Sequence, residues 1–369
     1  MTRILIAGAG IGGLTLAQAL RRDGFDVAVY ERDPSAQTRG QGYRIHVDAD
    51  GNAALRSCLP PPVLDRVRAT SSVNGDLVAT LTPALERVYA QTFPDIPADD
   101  ITHVDRTTLR RALLTGLDDV VHFGHPVTGY EITPSGRVRI EGDEGDLLIG
   151  ADGVGSAVRR QLLPHAGVRD IGLRCIYGRT PIDGSLVVPE DFDRGFCWVS
   201  DGSGYGAGFA TVHFRTPVAE DYVMVTLVAT PERLGLPDER LYALSPEGLQ
   251  DLVATATAGW HPEIRALIAR AGAFFPITLR AGERVDPWPS GPVTLLGDAI
   301  HTMPPTGGVG ANTALQDAAT LAGSLRSAPL LEAVAAYERV MLPRGFDTVE
   351  RSLAMADRML PSASGGALS

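Results

Sequence analysis

Residues Arg3 to Glu31 read RILIAGAGIGGLTLAQALRRDGFDVAVYE, and this stretch decides the fold. Arg3 to Ala7 is a short apolar run of the kind that forms a strand buried on both faces of a parallel sheet. Gly8, Gly10 and Gly13 follow in a GxGxxG frame, with Gly12 and Leu14 in the same turn. Leu14, Ala17 and Leu20 then recur at helical spacing, Gly24 closes the helix, and Val27 to Tyr30 supplies a second strand. A right-handed crossover sets the two strands side by side. Gly8 allows a tight turn, Gly10 lets a pyrophosphate approach the backbone, and Gly13 lets the helix pack on the strand. The helix N-terminus offers free N–H groups and a positive dipole to the phosphates. Glu31, followed by Arg32, ends the second strand, where its carboxylate can accept from both ribose hydroxyls. A 2′-phosphate there would meet a negative charge. The stretch reads as a dinucleotide-binding βαβ unit, and alone it does not separate FAD from NAD.

The bulk numbers bound the rest. A chain of 369 residues can bury a large core and carry more than one domain. Its net charge of −11 argues against a nonspecific nucleic-acid binder and against docking on an anionic membrane. Cys58, Cys175 and Cys197 are widely spaced with no CxxC pair, so no zinc site and no dithiol motif is expected. Ile4 to Leu20 resembles the apolar part of a secretory signal, but its glycines and the charged Arg21 to Asp23 argue against one. No other stretch is long and apolar enough to span a membrane, and a cytoplasmic protein is expected.

Farther along, Pro34 to Asp105 is irregular, with turns expected at Pro60-Pro61-Pro62 and Asn74-Gly75, and Arg106 to Leu117 reads as a helix. Leu147 to Ile149 is a buried strand, followed by Gly150-Ala151-Asp152-Gly153-Val154-Gly155-Ser156 and a helix holding Arg159 and Arg160. Gly172 to Val228 is rich in β-branched and aromatic runs separated by turns, which points to an antiparallel sheet. Val293 to Leu296 returns to the buried-strand pattern. It leads into Gly297-Asp298-Ala299, His301 and Pro304-Pro305-Thr306-Gly307-Gly308-Val309-Gly310-Ala311-Asn312, which opens a long helix. Ala311 to Ala354 reads as two or three helices, and the Ser/Gly-rich end from Ser362 as a frayed tail. Taken singly, the two later motifs are βα turns with helix-capping residues. Their order behind the first fingerprint is the stronger signal.

On these three motifs the chain resembles the group A flavoprotein monooxygenases of the p-hydroxybenzoate hydroxylase type, which include tetracycline-modifying and polyketide-tailoring hydroxylases. The resemblance covers nearly the whole chain. It implies an α/β fold: a split Rossmann-like FAD-binding domain (residues 1–70, 101–170 and 281–325), an inserted antiparallel β-sheet substrate domain (71–100 and 171–280) and C-terminal helices (326–369). Gly8, Gly10, Gly12, Gly13, Leu14, Glu31 and Arg32 would serve the ADP half of FAD. Asp152 and Gly153 would help position FAD and, transiently, NADPH or NADH. Gly297 and Asp298 would meet the ribityl or pyrophosphate region. Pro305, Gly308, Gly310, Ala311 and Asn312 would bring backbone N–H groups to the pyrimidine edge of the flavin. Arg106, and Arg44 within Gly42-Tyr43-Arg44, match further cofactor-contact positions; read physically, Arg106 is a pyrophosphate partner or a solvated charge.

The implied chemistry is hydride transfer from NADPH or NADH to FAD and reaction with O2 to give a C4a-hydroperoxyflavin. That species hydroxylates an electron-rich ring, epoxidises an alkene or inserts oxygen beside a ketone. The substrate, a small organic and aromatic or polyketide-like molecule, would lie between flavin and inserted sheet, lined by Cys175 to Thr180 and Phe196 to Phe214. His46, Tyr177, His213 and Phe214 are candidates there, with packing or surface placement as their plainer reading. No Ser-His-Asp or HExxH signature is present, so no acid or base is named. A flavin-dependent reductase or dehydrogenase, or a flavin-binding protein without oxygenation, is the alternative, and monomer and homodimer stay open.

Overall fold

The computed structural model describes residues 1–38, 43–73, 75–93, 95–97 and 99–360. Gly42, Asn74 and the tail from Ser362 lie outside them. Its first sheet is parallel, in the order β17 (Val293–Leu295), β11 (Leu147–Gly150), β1 (Arg3–Ala7), β2 (Asp26–Glu31), β7 (Val121–Phe123). Ile4, Leu5, Ile6 and Leu147 to Ile149 are fully buried, as their apolar runs require. In register, Ala7 lies beside Gly150, and Gly150 beside Leu295. Three motifs far apart in sequence therefore leave the carboxyl ends of three neighbouring strands at one level, the position where open α/β sheets bind ligands.

Helix α1 (Ile11–Arg22) follows the glycine turn. Helices α2 (Ala49–Cys58) and α3 (Pro61–Ala69) occupy the stretch whose pattern looked irregular. The expected turn at Pro60-Pro61-Pro62 is instead the start of α3, with Pro60 at the N-cap. Proline's fixed φ and missing N–H suit the first helical turn, so the same residues serve either role. Helix α4 (Arg106–Leu113) stops short of Leu117, where Gly116 turns left-handed at φ +74°. Strands β3 (Arg44–His46) and β6 (His103–Asp105) form a two-stranded ribbon, and β8 (Glu131–Ile132), β9 (Val138–Ile140) and β10 (Asp143–Gly145) a small antiparallel sheet. Helices α5 (Ala157–Leu162) and α11 (Asp298–His301) follow β11 and β17. Two C-terminal helices close this half, α12 (Gly310–Ser327) and α13 (Leu330–Met359), the latter running through Pro343 unbroken.

The second sheet has the order β16 (Gly272–Gly282), β12 (Val168–Pro181), β15 (Tyr222–Ala229), β14 (Gly206–Val212), β13 (Gly195–Ser200), β4 (Leu77–Leu81), β5 (Arg87–Thr92). It is antiparallel except where β4 joins β13 in parallel. One face packs Phe209, Val225 and Leu227 against a core shared with Phe192 of α6 (Glu190–Arg194) and with α7 (Pro231–Leu234), α8 (Asp238–Leu241), α9 (Pro246–Ala256) and α10 (Pro262–Arg270). The other face carries Cys175, Tyr177, Trp198, Ala210, Val212, Tyr222 and Met224, and it meets Tyr43 beside the ribbon. Strand alternation thus gives each side chain one of two neighbourhoods. No helix among the described residues is long and apolar enough to cross a membrane.

Candidate active site

The glycine turn is built as its spacing requires. Gly8 has φ +105°, and a Cβ there would lie 2.4 Å from the Ala151 carbonyl oxygen; one on Gly13 would lie 2.2 Å from Gly8 O. Gly10 differs, for a Cβ there meets nothing within 4 Å. That open side is where a phosphate can approach. Helix α1 starts without a side-chain cap, leaving its first N–H groups to a ligand. Leu14 is fully buried and its N–H donates to Gly10 O at 2.9 Å, so it supports the turn from the core side.

Glu31 is buried at the end of β2. Its Oε2 accepts from Ala9 N–H at 2.9 Å and its Oε1 from Asp33 N–H at 3.0 Å. Arg110, also buried, brings Nη2 to 3.3 Å from Oε2 and donates from Nε to Ala9 O at 3.0 Å. Arg32 beside it is exposed. Arg110 is a residue that the motif pattern does not single out. Its signal was the helical spacing from Arg106, one turn earlier on α4.

The second and third motifs converge on the first. Asp152 Oδ2 accepts from Ala157 N–H at 2.7 Å and caps α5, whereas its Oδ1 is buried with no partner among the described residues. Gly153 turns left-handed at φ +76°. Arg159 donates to Ala299 O at 2.8 Å and to Val154 O at 2.9 Å, tying the turn after β11 to the turn after β17. Gly297, at φ +62°, donates its N–H to Asp317 Oδ2 at 2.9 Å. Asp298 is exposed to solvent. The surrounding protein still raises its carboxyl above the ordinary range by burial, against the opposing charges of His301 and Arg106. Behind it, His301 Nε2 lies 2.6 Å from Asp317 Oδ2, and Arg344 donates to Asp317 Oδ1 at 2.8 Å. Burial lowers the imidazole pKa, but the Asp317 charge and hydrogen bond outweigh it and the net shift is upward.

Pro305 is exposed, Gly308 is left-handed at φ +66°, and α12 begins at Gly310 with no side-chain cap. The N–H groups of Gly310, Ala311 and Asn312 therefore head the helix uncapped. The Asn312 side chain is used internally: it donates to His46 O at 3.0 Å and Gly308 O at 3.1 Å and accepts from Asp48 N–H at 3.1 Å.

The sheet face supplies the opposite wall. Tyr177 packs between Tyr43 (ring centroids 5.2 Å apart) and Phe275 (5.6 Å). Phe214 lies 6.4 Å from the Tyr222 ring, and the Trp198 Nε1–H is buried without a partner among the described residues. Tyr222 donates to Asp105 Oδ2 at 3.0 Å, and Asp105 Oδ1 caps α4 through Thr107 and Thr108 N–H, both at 2.9 Å. Arg106, next in the chain, stands over the Tyr43 ring. Of the four substrate candidates, Tyr177 and Phe214 lie on this face. His46 faces the Gly308 loop, with its Nδ1 3.1 Å from Thr102 O. His213 has left the face for the rim, held by Asp221 at 3.0 Å and Asp193 at 2.6 Å. Arg44 shares a cavity with His213 rather than with the glycine turn.

Comparison with known proteins supplies the decisive observation. Residues 277–336 match an FAD binding domain and residues 6–54 an NAD(P)-binding Rossmann-like domain. Aurachin C monooxygenase/isomerase of Stigmatella aurantiaca is 33% identical, over 95% of this chain and 87% of its own. The chain belongs to the FAD-dependent monooxygenases. Within that family, 3-amino-4-hydroxybenzoate 2-monooxygenase of Streptomyces cremeus is 30% identical, over 96% of this chain and 87% of its own. A Photorhabdus luminescens structure assigned as an FAD-containing monooxygenase superposes with TM-score 0.85 at 31% identity, covering 99% of this chain and all of that one. The chain spans only 39% and 46% of the fungal dual O-methyltransferase/FAD-dependent monooxygenases that it also matches. As a flavoprotein, it has a cleft that fits the cofactor on its own chemistry: an open Gly10, two uncapped helix N-termini, an unpartnered Asp152 Oδ1 and a solvent-open Asp298.

Proposed function

We propose that this protein uses NADPH or NADH and O2 to oxygenate a small aromatic or polyketide-like substrate. The observation that carries the reading is the two-walled cleft. The motif turns after β1, β11 and β17 and the α12 N-terminus stand on one side, and an aromatic sheet face stands on the other. The names of the relatives fit, since one acts on an aminohydroxybenzoate and another on aurachin C.

When bound, FAD would supply the redox chemistry that links the nicotinamide to O2. The chain's own residues bind, orient and keep the site dry. Gly8, Gly10 and Gly13 admit the pyrophosphate to the α1 N-terminus. Glu31 Oε1, which accepts only from Asp33 N–H, keeps a lone pair for a ribose hydroxyl while Arg110 and Ala9 N–H hold Oε2 in place. Arg106 and Asp298 would hold the middle of the cofactor, and the N–H groups of Gly310 to Asn312 would hold the flavin edge. Tyr43, Tyr177, Phe214 and Phe275 exclude water, which would otherwise divert the oxidant to hydrogen peroxide. Burial and the neighbouring Asp105 charge hold Tyr222 well above the ordinary phenol range, so it stays a protonated donor.

Purified protein should be yellow. A productive substrate should accelerate NAD(P)H oxidation with equal oxygen uptake and give a product one oxygen atom heavier. Colourless protein that cannot be reconstituted with FAD, or turnover that proceeds without oxygen, would overturn the reading.

A further inference from the structure

The geometry points to Arg44 as the recognition site for an anionic oxygen group, a carboxylate or phenolate, on the organic substrate. The inference rests on the proposed reading in taking the cleft to hold a small organic molecule. Arg44 begins β3 and reaches into a cavity of about 280 Å³ whose lining includes His103, Arg194, Gly195, Thr211 and His213. That wall comes from the ribbon and from the substrate sheet. None of Gly8, Gly10, Gly13, Asp298 or Gly308 contributes to it.

Among the described residues no carboxylate pairs with the Arg44 guanidinium, and its Nε is buried without an acceptor. Arg159 and Arg344 also leave Nε without an acceptor, but their other guanidinium nitrogens are engaged, and Arg44 differs in having no acceptor for any of its guanidinium nitrogens among the described residues. Arg110 meets Glu31, Arg174 meets Asp170 and Asp238, and Arg159 binds two carbonyls. The acid in register with Arg44 across the ribbon is Asp105, and its oxygens are already spent on Tyr222 and the α4 cap.

The remaining acids on the cavity wall are engaged as well. Asp76 pairs with Arg194, and Asp193 with His213. The neighbouring histidines supply no counter-charge, because burial and the Arg44 charge both lower the pKa of His46 and His103. Burial likewise lowers the guanidinium to about 9, so it is still a cation at neutral pH. A buried cation without a partner is costly, and a bidentate anion removes that cost. His103 Nδ1 lies 3.0 Å from Thr102 Oγ1, which leaves Nε2 as a second contact for the ligand. A cofactor phosphate has the same anionic chemistry, so the test must separate the two sources.

Benzoate and its neutral isostere benzamide are the probes, titrated into the FAD-loaded protein and followed by ligand-observed NMR. The wild type should bind benzoate at least about tenfold more tightly than benzamide, as a charge-assisted pair would give. Arg44→Gln should level the two while keeping its flavin, and Arg44→Lys should keep part of the preference. The inference is overturned if the wild type binds no benzoate, if it binds both probes alike, or if Arg44→Gln loses flavin while keeping the preference. Should Arg44→Gln fail to fold, Arg44→Lys and the wild-type comparison still decide. The readout needs no turnover, so a protein that discriminates but never oxygenates would sink the proposed reaction and leave the Arg44 assignment standing.

Discussion

The Tyr222 hydroxyl donates to Asp105 Oδ2 at 3.0 Å, and this buried bond joins the substrate sheet to the N-cap of the helix carrying Arg106 and Arg110. One carboxylate therefore holds both walls of the cleft in relation to each other. Tyr222→Phe leaves that oxygen without its donor and should cost about 1–3 kcal/mol. Asp105→Ala removes the cap as well and should cost roughly 1 kcal/mol more. Urea unfolding of the two variants checks the order, and an Asp105→Ala milder than Tyr222→Phe would contradict it.

The Asp298 and Asp317 carboxylates lie in the same region but should behave differently. Among the described residues Asp298 makes no side-chain hydrogen bond or ion pair, and it is exposed, so Asp298→Ala should lower flavin affinity about tenfold with little loss of stability. Asp317 holds Gly297 N–H, His301 and Arg344 at once. Asp317→Ala leaves buried charge uncompensated and should cost about 3–5 kcal/mol, with flavin lost as a consequence. Flavin content and thermal unfolding, measured on both, separate the two outcomes.

How much of this could be read from the sequence depends on the range of the interaction. Gly8, Gly13 and Gly153 were legible because a backbone need shows directly as residue identity. The strands RILIA and LLI were legible because burial on both faces leaves an unbroken apolar run. Tyr222 and Asp105 are 117 positions apart, and nothing local marks either as the other's partner. Asp317 is likewise an ordinary helical acid until the fold brings His301 and Arg344 to it. The helix after Pro60 was hidden because proline opens helices and turns alike. His213 sits at the end of an alternating strand, and the alternation alone could not tell the site face from the rim.

His213 carries the pH dependence that the structure makes most specific. Burial lowers its pKa, but the hydrogen bonds it donates to Asp193 and Asp221 outweigh it, and the folded value is raised. Its stabilising effect is thus fully present below the unfolded pKa of about 6.5 and is lost as pH rises through the higher folded value. The clamp ties α6 to the segment between β14 and β15 at the mouth of the Arg44 cavity. The melting-temperature gap between wild type and His213→Gln should be larger near pH 6 than near pH 9. A gap that grows with pH would reverse the assignment. Because the group is more than a third exposed, the effect should be small and should shrink further in high salt.

Gly8 and Gly10 allow the fold and the ligand to be tested separately. A Cβ on Gly8 strikes the Ala151 carbonyl, and φ +105° is a region that alanine avoids. Gly8→Ala should therefore destabilise the flavin-free chain by about 2–4 kcal/mol, from strain and overpacking together. Gly10 has φ −79°, and its Cβ would enter open space, so Gly10→Ala should leave the flavin-free chain within about 0.5 kcal/mol of wild type. That same open space is where the pyrophosphate must come close, and a methyl group there should weaken flavin binding at least about tenfold. Denaturant unfolding of the flavin-free chains and flavin titration of each variant give the two axes. A Gly10→Ala that binds flavin as tightly as wild type would remove the phosphate from this turn and take the Glu31 assignment with it.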